Sequence, residues 1–253
     1  MFYKRCFLII QGFFILFVGL AYSTNSAQAS VAYPLQAKYS NTMLYKAHTN
    51  QKVIALTFDD GPDTRFTPLI LEVLNKYEVK ATFFLLGTRV HTYPDIVKQI
   101  YSKGHAIGNH TYWHPKLTDT DVKSMIWEIE KSEQEIFSVI CIKPELFRAP
   151  YGAINEDQVR QLEKMGYRGI GWSVDSQDWK SLPANVVKQK VLDSIHPGAI
   201  VLMHSAGHWT QDLTGTVKAL DELIPYLKKE GYIFVTIPEL WLLENTNEKE
   251  FPK

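Results

Sequence analysis

The sequence predicts an α/β chain, a parallel sheet covered by helices. Three observations carry this. Short apolar runs alternate with helical patterns over about 200 residues, the mark of repeated strand–helix units. Roughly seven such strands can be counted, and a barrel-like (β/α) closure fits them as well as an open doubly wound sheet does. Five of the strand ends carry carboxylates, imidazoles or a guanidinium, so a parallel sheet gathers them on one rim.

The elements follow in order. Val53 to Phe58 reads as a buried strand, and residues 66–77 place Leu69, Ile70, Val73, Leu74 and Tyr77 at helical spacing. Ala81 to Leu86 is a second buried strand. Pro94 to Lys103 is a helix stopped by Gly104, and Ala106 to Gly108 a short strand. Thr118 to Ser138 is a long helix, with Thr118 and Asp121 as a variant capping box. Leu146 to Arg148 ends a strand, Asn155 to Met165 is a helix and Arg168 to Ser173 a strand. Ala184 to Ile195, Ala199 to Met203, Thr214 to Glu230 and Ile233 to Ile237 continue the alternation, and Pro238 opens a last helix. No strand is followed by a Gly-rich dinucleotide or phosphate-loop pattern, which leaves nucleotide binding without support.

The ends of the chain lie outside this pattern. Lys4 and Arg5 precede an apolar run, Cys6 to Tyr22, and the small polar stretch after it ends Ala27-Gln28-Ala29. Residues 1–29 read as an export signal cleaved after Ala29, so the chain is expected to be secreted or associated with the cell wall. The alternative is an uncleaved segment anchoring it to the outer face of the membrane. Residues 30–51 form an N-terminal arm, 52–245 one catalytic domain, and 246–253 a tail. The 253-residue chain is 45% hydrophobic, enough for one sizeable core. It has 27 basic and 27 acidic residues, and no basic excess points to nucleic acid. A monomer without a protein partner is expected. Cys141, left alone once Cys6 is removed, lies between Ile140 and Ile142 and reads as a buried thiol.

The first strand ends Asp59-Asp60-Gly61-Pro62. Adjacent residues leaving a strand point to opposite sides, so one carboxylate can hold a metal while the other faces a water. The pair also reads as a turn or helix cap. His110 and His114 are four apart and can chelate one ion from one face of a helical turn. With a strand-end carboxylate they make a nitrogen, nitrogen, oxygen set, the open shell of a catalytic zinc site. His204 ends another strand. It reads as a core histidine or, beside a metal, as a general acid that Asp178 would keep protonated. Arg148 reads as a structural ion-pair residue or as the holder of a catalytic carboxylate. The other histidines read as surface or structural, His208 with Trp209 bordering the groove at most.

Assembled, these residues resemble the polysaccharide deacetylase family, the NodB homology domains of carbohydrate esterase family 4. Five motifs appear in the family's order: Thr57-Phe58-Asp59-Asp60-Gly61-Pro62, His110-Thr111-Tyr112-Trp113-His114, Arg148-Ala149-Pro150-Tyr151, Asp175-Ser176-Gln177-Asp178-Trp179 and Leu202-Met203-His204. The likeness spans roughly residues 50–240. It implies a distorted (β/α) barrel of fewer than eight strands. It implies one divalent ion, zinc or sometimes cobalt, held by Asp60, His110 and His114. Asp59 would be the general base, oriented by Arg148, and His204 the general acid, tuned by Asp178. The Tyr151 N–H would help form the oxyanion hole, and Pro150, Trp179 and Leu202 would line the substrate site. Ala106 departs from the glutamate many relatives carry there.

The expected reaction is hydrolysis of N-acetyl groups on a cell-wall polysaccharide, above all peptidoglycan, with a water activated by the ion as nucleophile. Replacing Asp59 or His204 should cut the rate and leave the fold intact. Chitin oligomers and O-acetyl-xylan are alternative substrates. A non-catalytic glycan-binding protein and a different metal hydrolase, such as a phosphoesterase, are alternative classes.

Overall fold

The structure, a computed structural model, describes residues 33–245. The expected signal at 1–29 and the tail at 246–253 lie outside those residues. The elements run α1 (Pro34–Lys38), β1 (Met43–Leu44), β2 (Val53–Gly61), α2 (Thr67–Lys76), β3 (Thr82–Leu85), α3 (Gly87–Thr92), α4 (Pro94–Ser102), β4 (Ala106–Asn109) and α5 (Val122–Ile140). They continue β5 (Leu146–Phe147), α6 (Glu156–Lys164), β6 (Arg168–Ile170), β7 (Val174–Asp175), α7 (Ala184–Ser194), β8 (Ala199–His204), α8 (Thr214–Lys229), β9 (Ile233–Phe234) and α9 (Ile237–Asn245).

One sheet of nine strands runs β1-β6-β5-β4-β3-β2-β8-β7, with β9 also on β2, and every strand pair is parallel. The count exceeds seven for two reasons. The arm adds β1, which pairs Met43 with Gly169. The expected strand 168–173 is two strands, because β6 pairs with β5 whereas β7 pairs with β8 near the other end of the sheet. Only residues 171–173 join them. A link that short spans at most about 15 Å, so the two edges must curl toward each other. The Ala47 N–H donates to the Gly198 carbonyl at 2.9 Å and adds a further tie between the halves. The sheet is therefore a distorted barrel rather than an open one.

Strand β2 shows how the layers form. Its alternate residues Ile54, Leu56 and Phe58 pack in the large cluster shared with α2, α4, α7 and α8. Val53 and Ala55 face the other way, into a second cluster with Phe84, Ile200, Ile237 and Trp241. A strand buried on both faces is a continuous apolar run, which is what the sequence displays. Thr57 and Asp59 continue the inner set as the strand approaches its C-terminal rim.

Two further expectations change. Helix α5 starts at Val122 rather than Thr118. Its cap is Asp121, which accepts from the Ser124 N–H at 2.7 Å, while Leu117–Asp119 form a separate 3-10 turn. Cys141 is exposed, not buried. It follows the last turn of α5 in a left-handed conformation (φ 56°), so its apolar neighbours do not enclose it. Among the described residues, no helix is long and apolar enough to cross a membrane.

Candidate active site

The C-terminal ends of β2, β4, β5, β7 and β8 bring the expected residues to one rim. Asp59, Asp60, His110, His114, Tyr151, Trp179, Leu202 and His204 line a cleft of about 490 Å³. Trp172, Asp175, His208 and Gln211 line it too. Arg148 and Asp178 lie buried behind this wall, and Pro150 is a buried residue of the turn that presents Tyr151.

Asp59 and Asp60 do not diverge as strict alternation requires. Asp60 has φ 68°, and the β2–β3 register shifts between Phe58 and Gly61. That irregularity turns Asp60 back toward the cleft, so His110 Nε2 lies 3.4 Å from Asp60 Oδ1 and 3.7 Å from Asp59 Oδ2. At Gly61 the backbone passes close to Ser205, whose hydroxyl an added Cβ would have to displace.

The two histidines are also placed differently from expectation. They sit on a loop after β4, not on a helical turn, because Thr111 (φ 71°) and His114 (φ 66°) are left-handed. Two buried carboxamide and carboxylate groups hold this loop. Asn109 Oδ1 accepts from the Thr111 N–H, and Glu128 of α5 accepts from the N–H groups of Tyr112 and Trp113, all at 2.8–2.9 Å. His110 Nδ1 donates to the Arg148 carbonyl at 2.7 Å, which leaves Nε2 as the lone-pair nitrogen facing Asp60.

Asp60, His110 and His114 offer ligand atoms that lie within 4.8 Å of one another and could hold a divalent ion. Asp60 Oδ1 is buried and makes no hydrogen bond, though it lies 3.4 and 3.3 Å from the two Nε2 atoms. Two ligands on a tetrahedral ion stand about 3.3 Å apart, so the donor set fits a metal better than it fits a hydrogen-bond network. Burial opposes the Asp60 charge, but His110, His204 and His114 outweigh it and hold the carboxyl well below the usual range. Burial, together with His110, pushes His114 down to about 4 against the pull of Asp60 and Asp59, so it stays neutral.

Arg148 is 1% exposed. Its Nη1 donates to Asp59 Oδ1 and to Thr57 Oγ1, both at 2.7 Å. Nε and Nη2 reach the carbonyls of Ile170 (3.1 Å) and Gly171 (3.0 Å), and the guanidinium lies over the Phe84 ring. Burial lowers its pKa against the support of Asp59, yet an arginine starts high enough to stay charged. Across the cleft, Asp178 accepts from His204 Nδ1 and from the His204 N–H, each at 2.8 Å, and from Thr216 Oγ1 at 2.9 Å. Burial alone would lower the His204 pKa. Asp178, with Asp60 and Asp59, overrides it and raises the imidazole to about 9.

Tyr151 is 68% exposed, its backbone is left-handed (φ 59°, ψ 10°), and its ring meets His114 edge-on at 4.7 Å. Left-handed non-glycine residues thus gather at the cleft in Asp60, Thr111, His114 and Tyr151, a concentration of backbone strain typical of working sites. Among the other histidines, His105 is structural, accepting from the Ala81 N–H at 3.2 Å.

Comparison with known proteins agrees with this geometry. A polysaccharide deacetylase family profile matches residues 46–170. A peptidoglycan-N-acetylglucosamine deacetylase of Bacillus cereus is 43% identical over 194 residues, 76% of this chain and 69% of that protein. The peptidoglycan-N-acetylglucosamine deacetylase PgdA of Listeria monocytogenes is also 43% identical, over 78% of this chain but only 40% of its own length. Among solved structures, the Bc1960 peptidoglycan N-acetylglucosamine deacetylase superposes with a TM-score of 0.79 at 39% identity, covering 83% of this chain and 96% of that one. A CE4 family pseudoenzyme from Bacillus anthracis superposes with a TM-score of 0.73 at 34% identity, covering 79% and 69%. By profile, identity and fold together, the chain belongs to the polysaccharide deacetylase family, hydrolases that cleave acetyl amide bonds on polysaccharides.

Proposed function

We propose that this chain removes N-acetyl groups from peptidoglycan, with Asp59 as general base, His204 as general acid and one zinc ion at Asp60, His110 and His114. The observation that carries this reading is the convergence of a base, an acid and a three-residue donor set on one cleft. The relatives named for peptidoglycan supply the substrate class.

A zinc ion held there would supply Lewis acidity, polarising the acetamide carbonyl and making water acidic enough to attack. The chain's own residues do the rest. Asp59, fixed by Arg148, takes the proton of the attacking water. The Tyr151 N–H donates to the oxyanion as it forms, a contribution of about 3 kcal/mol for a preorganised donor. His204 then gives its proton to the departing amine. An amide needs that acid, because an unprotonated amine is a poor leaving group. Leu202 and Trp179 form the apolar side of the cleft, where the acetyl methyl is placed.

The deciding experiment is acetate release from peptidoglycan and from N-acetylglucosamine oligomers by protein stripped of metal, with and without added zinc. Zinc-dependent release that an Asp59→Asn variant loses supports the reading. No release with zinc bound would overturn it. Residues 1–29 are read as a cleaved export signal, and a secreted chain whose N-terminus is Ser30 supports that. A mature monomer that needs no protein partner is part of the same reading.

A further inference from the structure

A second groove adjoins the catalytic cleft, and the loop between β8 and α8 separates them. His208 and Gln211 of that loop line the cleft, whereas Gly207 and Trp209 line the groove, which has a volume of about 430 Å³. A polymer leaving the cleft on this side must cross the loop. Its chemistry therefore bears on what binds next to the reacting sugar.

The loop is clamped from the groove side. Arg65, five residues after Asp60, donates to the carbonyls of Trp209 (3.1 Å), Gln211 (3.3 Å), Gly207 and His208 (both 3.4 Å). Asp63 pairs with the same guanidinium at 3.1 Å. Arg89 of α3 donates from Nη2 to the Gly207 carbonyl at 2.6 Å. Gln211 Nε2 donates to the Trp179 carbonyl at 2.8 Å and ties the loop to the cleft wall. The backbone under Trp209 is thus held at its own carbonyl, yet the indole is 80% exposed. A single exposed aromatic is ordinary on a protein surface. A clamped one beside a glycan cleft is a preorganised face that loses little entropy when a sugar ring stacks on it.

The groove also has a charge to satisfy. Arg65 is neutralised by Asp63. Arg89 is half-buried, and among the described residues it has no carboxylate within ion-pair distance. One of its five N–H groups is spent on Gly207, and the planar fork of the others suits a carboxylate. Tyr93, Thr88, Thr92, Thr64 and the Arg65-paired Asp63 also line the groove, a polar composition for a sugar rather than for an apolar peptide.

We propose that this groove is a substrate subsite that binds a carboxylate-bearing sugar unit next to the one that loses its acetyl group, with Trp209 under the ring and Arg89 on the carboxylate. The inference rests on the deacetylase reading and narrows it. It favours peptidoglycan strands, whose alternate sugars carry lactyl ethers with a free carboxylate where no peptide is attached, over neutral chitin.

The test compares two tetrasaccharides of equal length with the zinc-loaded protein. One is neutral, four N-acetylglucosamine units. The other alternates N-acetylglucosamine with N-acetylmuramic acid whose lactyl carboxylates are free. Arg89→Gln should raise KM for the acidic glycan about tenfold more than it raises KM for the neutral one at low salt, the scale of one charge-assisted hydrogen bond. The acidic preference of the unaltered protein should shrink in about 0.5 M salt, because the pair is solvent-accessible. Arg89→Lys should keep part of the preference. Trp209→Ala should raise KM for both tetrasaccharides several-fold with kcat retained. An equal rise for both glycans in Arg89→Gln would make Arg89 a loop clamp only and overturn the proposal. So would an unchanged KM in Trp209→Ala. If the unaltered protein releases no acetate from either glycan, the deacetylase reading fails. Calorimetric binding of the same two glycans to the same variants then reads the groove by itself.

Discussion

The two walls of the cleft are built from the same pair of charges in opposite order. On the β2 side the carboxylate, Asp59, faces the cleft and its cation, Arg148, is buried behind it. On the β8 side the cation, His204, faces the cleft and its carboxylate, Asp178, is buried behind it. The difference teaches how a fold can fix a carboxylate and an imidazole, the proposed base and acid, on one cleft. The partner behind the proposed base is a group that does not titrate near neutrality, so it can orient without competing for the proton. The partner behind the proposed acid is an anion that stabilises the protonated imidazole.

The largest effects should come from removing the facing groups. Asp59→Asn and His204→Ala are each expected to lower kcat by about 10²–10⁴ in acetate-release kinetics. Both should keep the fold, but their stabilities should differ. Neutralising Asp59 strands a guanidinium that is fully buried, and breaking such a pair costs about 3–5 kcal/mol. A fall of roughly 10 °C in thermal midpoint is expected. His204→Ala leaves Asp178 with the Thr216 hydroxyl and the main-chain N–H, so its midpoint should fall less. Equal midpoints would break the comparison.

Asp178→Asn comes next and tests the acid wall through pH. The His204 pKa is raised to about 9, so the imidazolium form is present at neutral pH and is lost as pH rises through that value. With the anion gone, burial acts with less opposition, and the alkaline limb of kcat should move toward acid. Stability follows the same sign. A group with a raised folded-state pKa contributes fully below its ordinary value of 6.5 and loses that contribution as pH climbs through about 9. The stability gap between the unaltered protein and Asp178→Asn should therefore narrow from pH 6 to pH 10 in the metal-free protein. An alkaline limb that does not move would remove Asp178 from the acid's support.

Much of this was legible in the sequence, and what was not has physical reasons. Apolar runs mark the two-sided strands, and the rim residues follow from where the runs stop. The arm's β1 was invisible because a strand of two residues has no period, and its pairing with β6 is set at long range. Helix α3 was missed because Gly87–Thr92 is one short polar turn and a half. The proposed metal donors are identifiable by type, but their geometry is not. Positive φ at Asp60, Thr111 and His114 overrides the periods of strand and helix, and nothing in those residue types announces it. The anchors of Arg148 were equally hidden, since two of them are main-chain carbonyls that any residue supplies. Glu128, which holds the histidine loop from α5, looks like one more helix glutamate until the fold brings it there.

The smallest effects should come from the hydroxyls one step further back, and they sharpen the comparison by separating anchoring from charge. Beyond His204 itself, Asp178 is held by the Thr216 hydroxyl. In Thr216→Val the carboxylate and imidazole can turn as a unit, and a loss of about tenfold in kcat is expected from misplacement of the acid. Thr57 occupies the matching position behind the base, where its hydroxyl accepts from Arg148 and donates to the Val201 carbonyl. Arg148 keeps two carbonyls, Asp59 and the Phe84 ring when that hydroxyl is removed. Thr57→Val should therefore cost about 1–3 kcal/mol of stability for an unsatisfied buried donor while kcat falls less than about threefold. Denaturant midpoints and acetate-release rates on the two variants decide the matter. If Thr57→Val slowed the reaction as much as Thr216→Val, the guanidinium would owe its position to the threonine rather than to the sheet, and the base wall would be no more rigid than the acid wall.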